Sequence, residues 1–272
     1  MLRRIWREHR LGTLIVVAAL IVASVGAFLL VAKDDTTPRT TAPTTTVPQV
    51  SPDVDGNLVA TSVVSQLVIF DAPSKSAGTL ATLGPTTAYR APTTLAVDAD
   101  RSEAPKGWLP VAVPLHKPND TQGWIRQRDV RLTQSPFEIR VHLATHTLEL
   151  LENGTQVFTT PVIIGTPETP TPVGRFHLMD PVNCNTPSVR AYPVGHCTSV
   201  YGAFAIGTSG LSDVLDSFDG GIPQIALHGT DLPASELGKD LSNGCIRMPN
   251  DAILHLARIT PLLGTPVIIS AT

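Results

Sequence analysis

A run of 22 uncharged residues, Leu11 to Ala32, constrains this chain more than any other feature of its sequence. Nearly all of these residues are apolar or small, and a helix of that length crosses a hydrocarbon core of about 30 Å. Four arginines precede the run, and two aspartates follow shortly after it. The positive-inside bias then places the N-terminus in the cytoplasm. We predict a cytoplasmic basic head and a transmembrane helix over residues 1–33, in a single-pass protein of the cell membrane.

The alternative interpretation of this run is a secretory signal peptide that is removed. Such a peptide normally has an apolar region of about 7–15 residues followed by a cleavage site with small residues. The run is longer than that, and Leu30-Val31-Ala32 offers no small residue three positions before a cut. The sequence therefore favours a retained anchor, with the rest of the chain outside the cytoplasm.

Residues 34–57 consist largely of Thr and Pro with few apolar side chains. Such a segment cannot bury enough surface to order itself, so we predict a disordered tether. Because proline favours extended backbone, the tether would reach on the order of 70 Å. It is either an inert spacer or a means of working at a distance from the membrane, and both interpretations give the same geometry.

Composition limits the fold and the partners of the rest of the chain. The net charge is −3, which argues against nucleic acid as a partner, since such proteins usually need a basic face. The chain contains 24 Pro and 20 Gly, and aromatic residues make up 5%. Frequent Pro and Gly interrupt long helices and favour short strands joined by turns. We therefore predict a mainly β protein with two folded domains.

The first domain is predicted over residues 58–133. Its short apolar runs are separated by turn signals, which is typical of a small β-barrel. Two strands, each with a Trp after a Gly (Trp108 and Trp124), resemble those of a bacterial SH3-like domain. The two tryptophans could line a groove that binds the cell wall, but we favour their placement in the barrel core.

The second domain is predicted over residues 136–272 and is also mostly β. Residues 137–143 alternate between apolar and polar, and Asn153-Gly154 between two strand-like runs is a strong hairpin signal. Only residues 250–258 have the pattern of a helix, with Asn and Asp at the start and Arg in the last turn.

The candidate chemistry lies near the end of this domain. His228 ends an apolar strand, and the segment from Ser242 to Met248 contains Cys245 in a polar, Gly-containing loop before the helix. Backbone N–H groups in such a loop favour an anion, which would lower a thiol pKa and hold a developing oxyanion. A nearby His could accept the thiol proton and return it to a leaving amine. A structural Cys with an unrelated His is the alternative.

The full string of residues in this segment is a more specific signal than the spacing between His228 and Cys245. Together, His228-Gly229 and Ser242-Asn243-Gly244-Cys245-Ile246-Arg247 resemble the catalytic motif of the L,D-transpeptidase family, whose catalytic domains are of the YkuD type. Residues 165–176 (GTPETPTPVGRF) resemble a second hallmark of that family. The resemblance covers residues 136–271 and implies a β-sandwich catalytic domain with one C-terminal helix.

The resemblance also implies roles for individual residues. Cys245 matches the nucleophile, His228 the general base, and Gly229 the position whose carbonyl orients that base. Gly244 and Cys245 match the backbone donors to the oxyanion. The positions assigned to substrate or oxyanion binding are Thr230, Ser242, Asn243, Gly244 and Arg247. The family's commonest motif has His where this chain has Asn243, and an amide can donate a hydrogen bond but cannot carry a proton near pH 7.

The implied reaction is a transfer between peptidoglycan stem peptides. A thioester on Cys245 would form with loss of a terminal D-amino acid, and an amine of a second stem would then give a 3→3 cross-link. Neither a metal nor an organic cofactor is required, and carbapenem-type β-lactams are expected to acylate the same thiol. The alternatives are an L,D-carboxypeptidase, in which water is the acceptor, and a catalytically weak protein that binds the wall.

Two further cysteines, Cys184 and Cys197, lie in a loop-like insert. Oxidising conditions outside the membrane favour a disulfide between them, which would pin this loop as a lid and leave Cys245 free. A metal site that also uses His196 is the alternative, although it lacks a fourth ligand at ordinary spacing. Three other histidines on or near strands, at 142, 146 and 177, are predicted to be surface or half-buried.

Overall fold

Two groups of strands, which divide near residue 136, account for most of the structure. The computed structural model describes residues 56–184, 186, 197, 199–259 and 262–272. The predicted basic head, the transmembrane helix and nearly all of the tether lie outside these ranges. Within them, no helix has both the length and the apolar character needed to cross a bilayer.

The first module, residues 57–135, is a seven-stranded antiparallel sheet with the strand order β3-β2-β6-β5-β4-β1-β7. The strands enclose an apolar core that includes Leu58, Ile69 and Leu132. The resemblance to an SH3-like domain stays a prediction. The strand bounds are β1 Asn57–Ser62, β2 Leu67–Phe70, β3 Thr79–Leu83, β4 Thr94–Val97, β5 Trp108–Ala112, β6 Gln122–Arg126 and β7 Val130–Ser135.

The two tryptophans of this module do not belong to its core, so that prediction is wrong. Trp108 and Trp124 are both only partly buried and lie outside the cluster of buried residues. Trp108 instead packs edge-on against Phe70 at 5.4 Å, and the Arg126 guanidinium lies over the Phe70 ring. The smaller aliphatic side chains fill the interior, because a sheet this small has little room for an indole.

The second module, residues 137–270, contains a mixed eight-stranded sheet and a two-stranded sheet. The order of the larger sheet is β10-β9-β8-β17-β12-β13-β14-β16, and β11 pairs with β15. The strand bounds are β8 Phe137–His142, β9 Thr147–Glu152, β10 Thr155–Pro161, β11 Ile164–Gly165, β12 Gly174–Asn183, β13 Phe204–Leu211, β14 Gln224–Thr230, β15 Asp240–Ser242, β16 Ile246–Pro249 and β17 Pro266–Ser270.

Two sequence signals in this module are confirmed. β9 and β10 form a hairpin around Asn153 and Gly154, whose φ angles are 49° and 78°, as a tight hairpin turn requires. The helix α1, Asn250–Leu256, follows β16, and it buries Ala252, Ile253 and Leu256. It ends two residues earlier than predicted. The protein is therefore mainly β, with a single α-helix within the described ranges.

The long strand β12 joins two groups of strands. Its first half, Gly174–His177, pairs with β17, and its second half, Leu178–Asn183, pairs with β13. The register shifts between Leu178 and Asp180, at this change of partner. β12 therefore joins the strands on its two sides into one continuous sheet, and the predicted β-sandwich stays a prediction.

The two modules are joined by polar contacts and pack within one compact unit, Val47–Thr272. The Asn119 side chain donates to the Leu211 carbonyl at 2.8 Å and accepts from the Leu211 N–H at 3.0 Å. Asp120 accepts from the Arg175 N–H at 3.0 Å. His177, predicted to be surface or half-buried, is 2% exposed and forms a backbone hydrogen bond with Thr94 of β4. It is buried because the first module covers it.

Candidate active site

Parallel pairing of β14 with β16 brings the predicted nucleophile and base together. In this register His228 lies opposite Arg247 and Leu227 opposite Ile246, so Cys245 enters β16 beside Ala226. Ala226 and His228 are two residues apart and therefore share a face of β14. Cys245 and His228 line the same small pocket, and Cys245 is a free thiol. Two residues 17 positions apart in sequence thus meet at one cavity.

The imidazole of His228 is held in one tautomer. Its Nδ1 lies 2.7 Å from the carbonyl oxygen of Gly229. Because a carbonyl only accepts, Nδ1 carries the proton and Nε2 carries the lone pair. His228 is 1% exposed, and Tyr201 packs edge-on against its ring at 5.0 Å. The Gly229 carbonyl therefore fixes the orientation of the imidazole in this structure.

Burial keeps both reacting groups neutral. Desolvation lowers the pKa of His228 to about 4, an effect to which the nearby Arg247 charge adds and which the hydrogen bond to Gly229 opposes. Desolvation also raises the pKa of Cys245, although a backbone hydrogen bond from Ala226 and the Arg247 charge oppose it. The prediction of a lowered thiol pKa is therefore wrong, because the loss of hydration outweighs the donors around the sulfur. The resting pair is a thiol and a neutral imidazole.

The sulfur rests against the backbone of β14. The Cys245 thiol donates weakly to the Gln224 carbonyl oxygen at 3.9 Å. This contact, together with the Ala226 hydrogen bond, fixes the thiol beside β14, the strand that contains His228. The acceptor at Gln224 is a carbonyl and cannot take the proton away, so deprotonation needs the imidazole.

The Ser242 hydroxyl bonds within the loop that contains Cys245. Its hydroxyl accepts from the Gly244 N–H at 3.1 Å and donates to the Cys245 carbonyl at 2.6 Å. Ser242 is 1% exposed, and its two hydrogen bonds shape the loop. The Gly244 N–H is engaged in this bond, and its role as an oxyanion donor stays a prediction. Gly244 has φ +108°, a conformation that favours glycine.

The second motif, residues 165–176, supports the loop that contains Cys245. The Thr171 hydroxyl accepts from the Gly165 N–H and donates to the Gly244 carbonyl, both at 2.9 Å. Thr169 adds a hydrogen bond of 3.3 Å to the Ser242 carbonyl. Thr171 is 4% exposed. The two motifs are therefore two parts of one hydrogen-bonded unit.

The other predicted site residues divide into two groups. Asn243 and Arg247 line the pocket that contains Cys245 and His228, with Asn243 exposed. The backbone of Arg247 is fixed by paired hydrogen bonds with Ile163. Thr230 is not a lining residue: it is 7% exposed, and its hydroxyl accepts from the Leu232 N–H at 3.1 Å. Its side chain organises the chain after β14, and its role in substrate or oxyanion binding stays a prediction.

Two cavities meet at Cys245. The inner pocket, about 30 Å³, is lined by Tyr201, Leu215, His228 and Arg247 among others. The main cleft, about 550 Å³, lies between the modules and is also lined by Tyr201 and Cys245. The thiol is therefore accessible to a ligand that is much larger than a single amino acid.

Sequence reasoning missed two residues of the site. Tyr201 lines both cavities, and burial raises the pKa of its phenol. No pattern around Tyr201 distinguished it from an ordinary aromatic residue. Thr171 was available as part of the Gly165–Phe176 motif, but the motif alone did not show which of its threonines bonds the catalytic loop.

Cys184 and Cys197 form the predicted disulfide, with Cα atoms 5.3 Å apart. The bond consumes both sulfur ligands of the alternative metal site, and His196 lies outside the described residues. No group of three potential metal ligands occurs in the described part of the chain. Cys197 lines the main cleft, so the disulfide fixes one point of its rim. Most of the predicted lid lies outside the described residues.

Comparison with known proteins shows what the second module is similar to. Residues 136–269 match the YkuD family, described as the L,D-transpeptidase catalytic domain. The YkuD protein of Bacillus subtilis strain 168 is 31% identical over 135 residues, which cover 50% of this chain and 66% of that protein. The YkuD protein of Bacillus licheniformis is 34% identical over 126 residues, covering 46% of this chain and 61% of that protein. Roughly a third of each relative thus has no counterpart in the match.

Similar solved structures include Bd1075 of Bdellovibrio bacteriovorus, at 25% identity and a TM-score of 0.37, covering 50% of this chain and 48% of that one. L,D-transpeptidase 3 of Mycobacterium tuberculosis, solved with a faropenem-derived adduct, has 17% identity and a TM-score of 0.39, covering 60% of this chain and 90% of that one. The sequence match carries the comparison: residues 136–269, most of the second module, are similar to the L,D-transpeptidase catalytic domain.

Proposed function

We propose that this protein is an L,D-transpeptidase that forms 3→3 cross-links between peptidoglycan stem peptides through a thioester on Cys245. One observation carries the proposal: a free thiol and a histidine with a fixed tautomer line one pocket. Nδ1 of His228 is bound to Gly229, so Nε2 is the nitrogen left to act on the thiol.

The first step is acylation of Cys245 by the donor stem. Sγ bonds to the peptide carbonyl carbon while the thiol proton passes to Nε2 of His228. Because both groups are neutral at rest, this transfer accompanies attack and does not precede it. The carbonyl electron pair moves to oxygen, and the Cys245 N–H is the predicted backbone donor to it. When the C–N bond breaks, His228 returns the proton to the departing amine of the terminal D-amino acid.

The second step transfers the acyl group to an acceptor stem. Its amine attacks the thioester, its proton passes to His228, and the C–S bond breaks to leave a thiolate. The imidazolium then reprotonates the sulfur. The Arg247 charge favours the thiolate, since it opposes the effect of burial on the pKa of Cys245, and it disfavours the imidazolium of His228. Arg247 thus helps the sulfur to leave and makes the transient imidazolium of His228 a stronger acid, which returns its proton readily.

The location of the protein follows from the same proposal. A retained helix over residues 11–32 and the Thr/Pro tether would hold the catalytic domain on the outer side of the cell membrane. A disulfide agrees with this location, because oxidising conditions outside the cytoplasm let such bonds persist. The proposed partners are stem peptides and the membrane.

Carbapenem-type β-lactams are proposed as acylating inhibitors. Attack of Sγ on the β-lactam carbonyl carbon breaks the ring C–N bond, and the thiol proton passes through His228 to the ring nitrogen. This reaction needs no acceptor stem. Intact mass after incubation with a carbapenem is the direct test: wild type should gain one adduct, and Cys245→Ala should gain none. The absence of an adduct on wild type, or its persistence on the alanine variant, would contradict the assignment of Cys245.

A second measurement separates transfer from hydrolysis. The protein is incubated with a synthetic stem tetrapeptide ending in a D-amino acid, with and without a second stem that carries a free amine. A transpeptidase gives the cross-linked product when the acceptor is present. Release of the tripeptide alone under both conditions would instead identify an L,D-carboxypeptidase. Fusion of the N-terminal 57 residues to a reporter tests the anchor separately.

A further inference from the structure

The main cleft is not built by the catalytic domain alone. One side is lined by residues of the second module, which include Met179, Tyr201 and Cys245. The other side is lined by the first module, through Gly84 and residues 86–89 of the loop between β3 and β4. Leu115, from the loop before β6, completes that side. A ligand that fills this cleft therefore touches both modules.

We infer that the β3–β4 loop, residues 84–93, is a wall of the substrate site and that Tyr89 is a specificity-determining residue for the donor peptide. The inference rests on the proposed function and deepens it. The first module would then bind substrate and would not serve only to attach the protein to the cell wall. The ligand class is an extended stem peptide, whose aliphatic and backbone surface would pack against the phenol ring.

The β3–β4 loop has a defined shape. Thr87 N–H donates to the Ala91 carbonyl at 2.8 Å, and Arg90 N–H donates to the Thr87 carbonyl at 3.0 Å. The Thr93 hydroxyl donates to the Gly84 carbonyl at 2.7 Å and closes the base of the loop. A loop with this many internal bonds presents its side chains without a large ordering cost when ligand arrives.

Tyr89 is placed for contact with a ligand. Its side chain lines the cleft and is 50% exposed, which is unusual for so large an apolar surface. It is close enough to influence the Tyr201 phenol electrostatically, and Tyr201 packs on the ring of His228. The exposed ring is therefore near the reacting groups without being one of them. Aromatic rings with a polar tip are effective in recognising peptides.

Hydrogen bonds from the loop between β5 and β6 hold the first module against the second. Leu115 N–H donates to the Ser209 carbonyl at 2.8 Å, and Lys117 donates to the Leu215 carbonyl at 2.7 Å. Leu115 itself lines the main cleft, and Leu215 lines the inner pocket. The first module is thus bonded to the loop that borders the active site. A peptide would meet a preformed groove.

The first experiment compares a long and a short acyl donor. Tyr89→Ala should reduce kcat/KM for a synthetic stem tetrapeptide by about tenfold, the size expected for one lost aromatic contact. The rate of acylation by a carbapenem, which is too small to span the cleft, should change less than about twofold. Val63→Ala is the matched control, since Val63 is 57% exposed in the same module and does not line the cleft. An unchanged kcat/KM for the peptide would overturn the inference.

A second experiment measures binding without turnover. Tyr89→Cys in the Cys245→Ala background leaves one free thiol, because Cys184 and Cys197 are bridged. The stem tetrapeptide should slow alkylation of that thiol by at least about threefold, while Val63→Cys in the same background should be unaffected. Equal protection at both positions, or none at position 89, would refute a wall at Tyr89.

These arms separate the inference from the proposed function. If wild type lacks transpeptidase activity but the peptide protects position 89, the cleft binds stems and the reaction assignment is wrong. If wild type turns over the peptide and position 89 is unprotected, the reaction stands and the wall is wrong. Thermal unfolding of each variant shows whether a loss reflects the contact or the fold.

Discussion

The hydroxyl of Thr171 donates a 2.9 Å hydrogen bond to the carbonyl oxygen of Gly244, the residue immediately before Cys245. The two residues are 73 positions apart in sequence. The same hydroxyl accepts from the Gly165 N–H, so one buried oxygen satisfies two backbone groups. The loop that presents Cys245 therefore depends on a side chain from a distant motif.

Replacing Thr171 by Val should impair both stability and activity. The change keeps the side-chain shape but leaves two buried backbone groups without a partner, which costs about 1–3 kcal/mol in free energy of unfolding. Displacement of Cys245 should lower the carbapenem acylation rate by about tenfold. Urea unfolding and intact-mass kinetics measure the two effects. Thr171→Ser, which keeps the hydroxyl, should recover most of both, and a Val variant equal to wild type would contradict this role.

The acylation rate should persist to unusually low pH. His228 can act as a base only when neutral, and burial lowers its pKa to about 4. The rate should therefore be independent of pH from neutrality down to about pH 5 and decline as the pH falls through about 4. Stopped-quench acylation by a carbapenem, with circular dichroism to verify folding, gives the profile. An acid limb centred near 6.5, the ordinary value for histidine, would show that the imidazole is solvated.

The buried His177 predicts a second, separate pH effect on stability. Desolvation lowers the pKa of His177 to about 4 in the folded protein, so the unfolded chain binds a proton first as the pH falls. The stability due to a neutral His177 is present above about pH 6.5, declines between about 6.5 and 4, and changes no further below that. Its full loss is about 3 kcal/mol in free energy of unfolding.

Urea unfolding at several pH values tests this linkage. His228 has a similarly lowered pKa and contributes in the same window, so His177→Gln should remove only about half of the pH dependence. Gln is the suitable replacement because it can still bond the Thr94 backbone but does not titrate near pH 5. A variant whose stability falls with pH as steeply as that of wild type would exclude His177 as a source.

Thiol counting tests the disulfide. Denatured protein should take up one equivalent of alkylating agent before reduction and three after it, since only Cys245 is free. Removing the bond by Cys184→Ser and Cys197→Ser should cost about 3 kcal/mol in the chain-entropy description of a loop this short. One equivalent both before and after reduction, or three before it, would disprove the bridge in solution.

Local signals in the sequence predicted the elements of the second module well. Asn153-Gly154 identified the β9–β10 hairpin because that turn depends on the residues within it. The motif that contains His228 and Cys245 likewise indicated residues that come together where β14 pairs with β16, because its own residue types carry the signal. The pKa of Cys245 was predicted in the wrong direction, because donors are visible in a loop sequence whereas burial comes from the whole fold.

Relations between distant segments were beyond local patterns. Ser242 looked like a substrate contact, but its hydroxyl bonds within its own loop. Trp108 was predicted to be in the core because of its size, yet it packs on the surface against Phe70. The main cleft was not predicted at all, since it exists only where the two modules meet.

The change of partner along β12 affects how the protein can be divided into fragments for study. The first half of this strand ends at His177, which the first module covers, and the second half carries Met179 and Asp180 into the cleft. Expression of residues 136–272 alone would expose the first half of β12. It would also remove the side of the main cleft that the first module lines, opposite the second half of β12. A fragment prepared in that way would keep Cys245 but would lose the first module's side of the main cleft. Its preference among peptides would therefore not describe the intact protein.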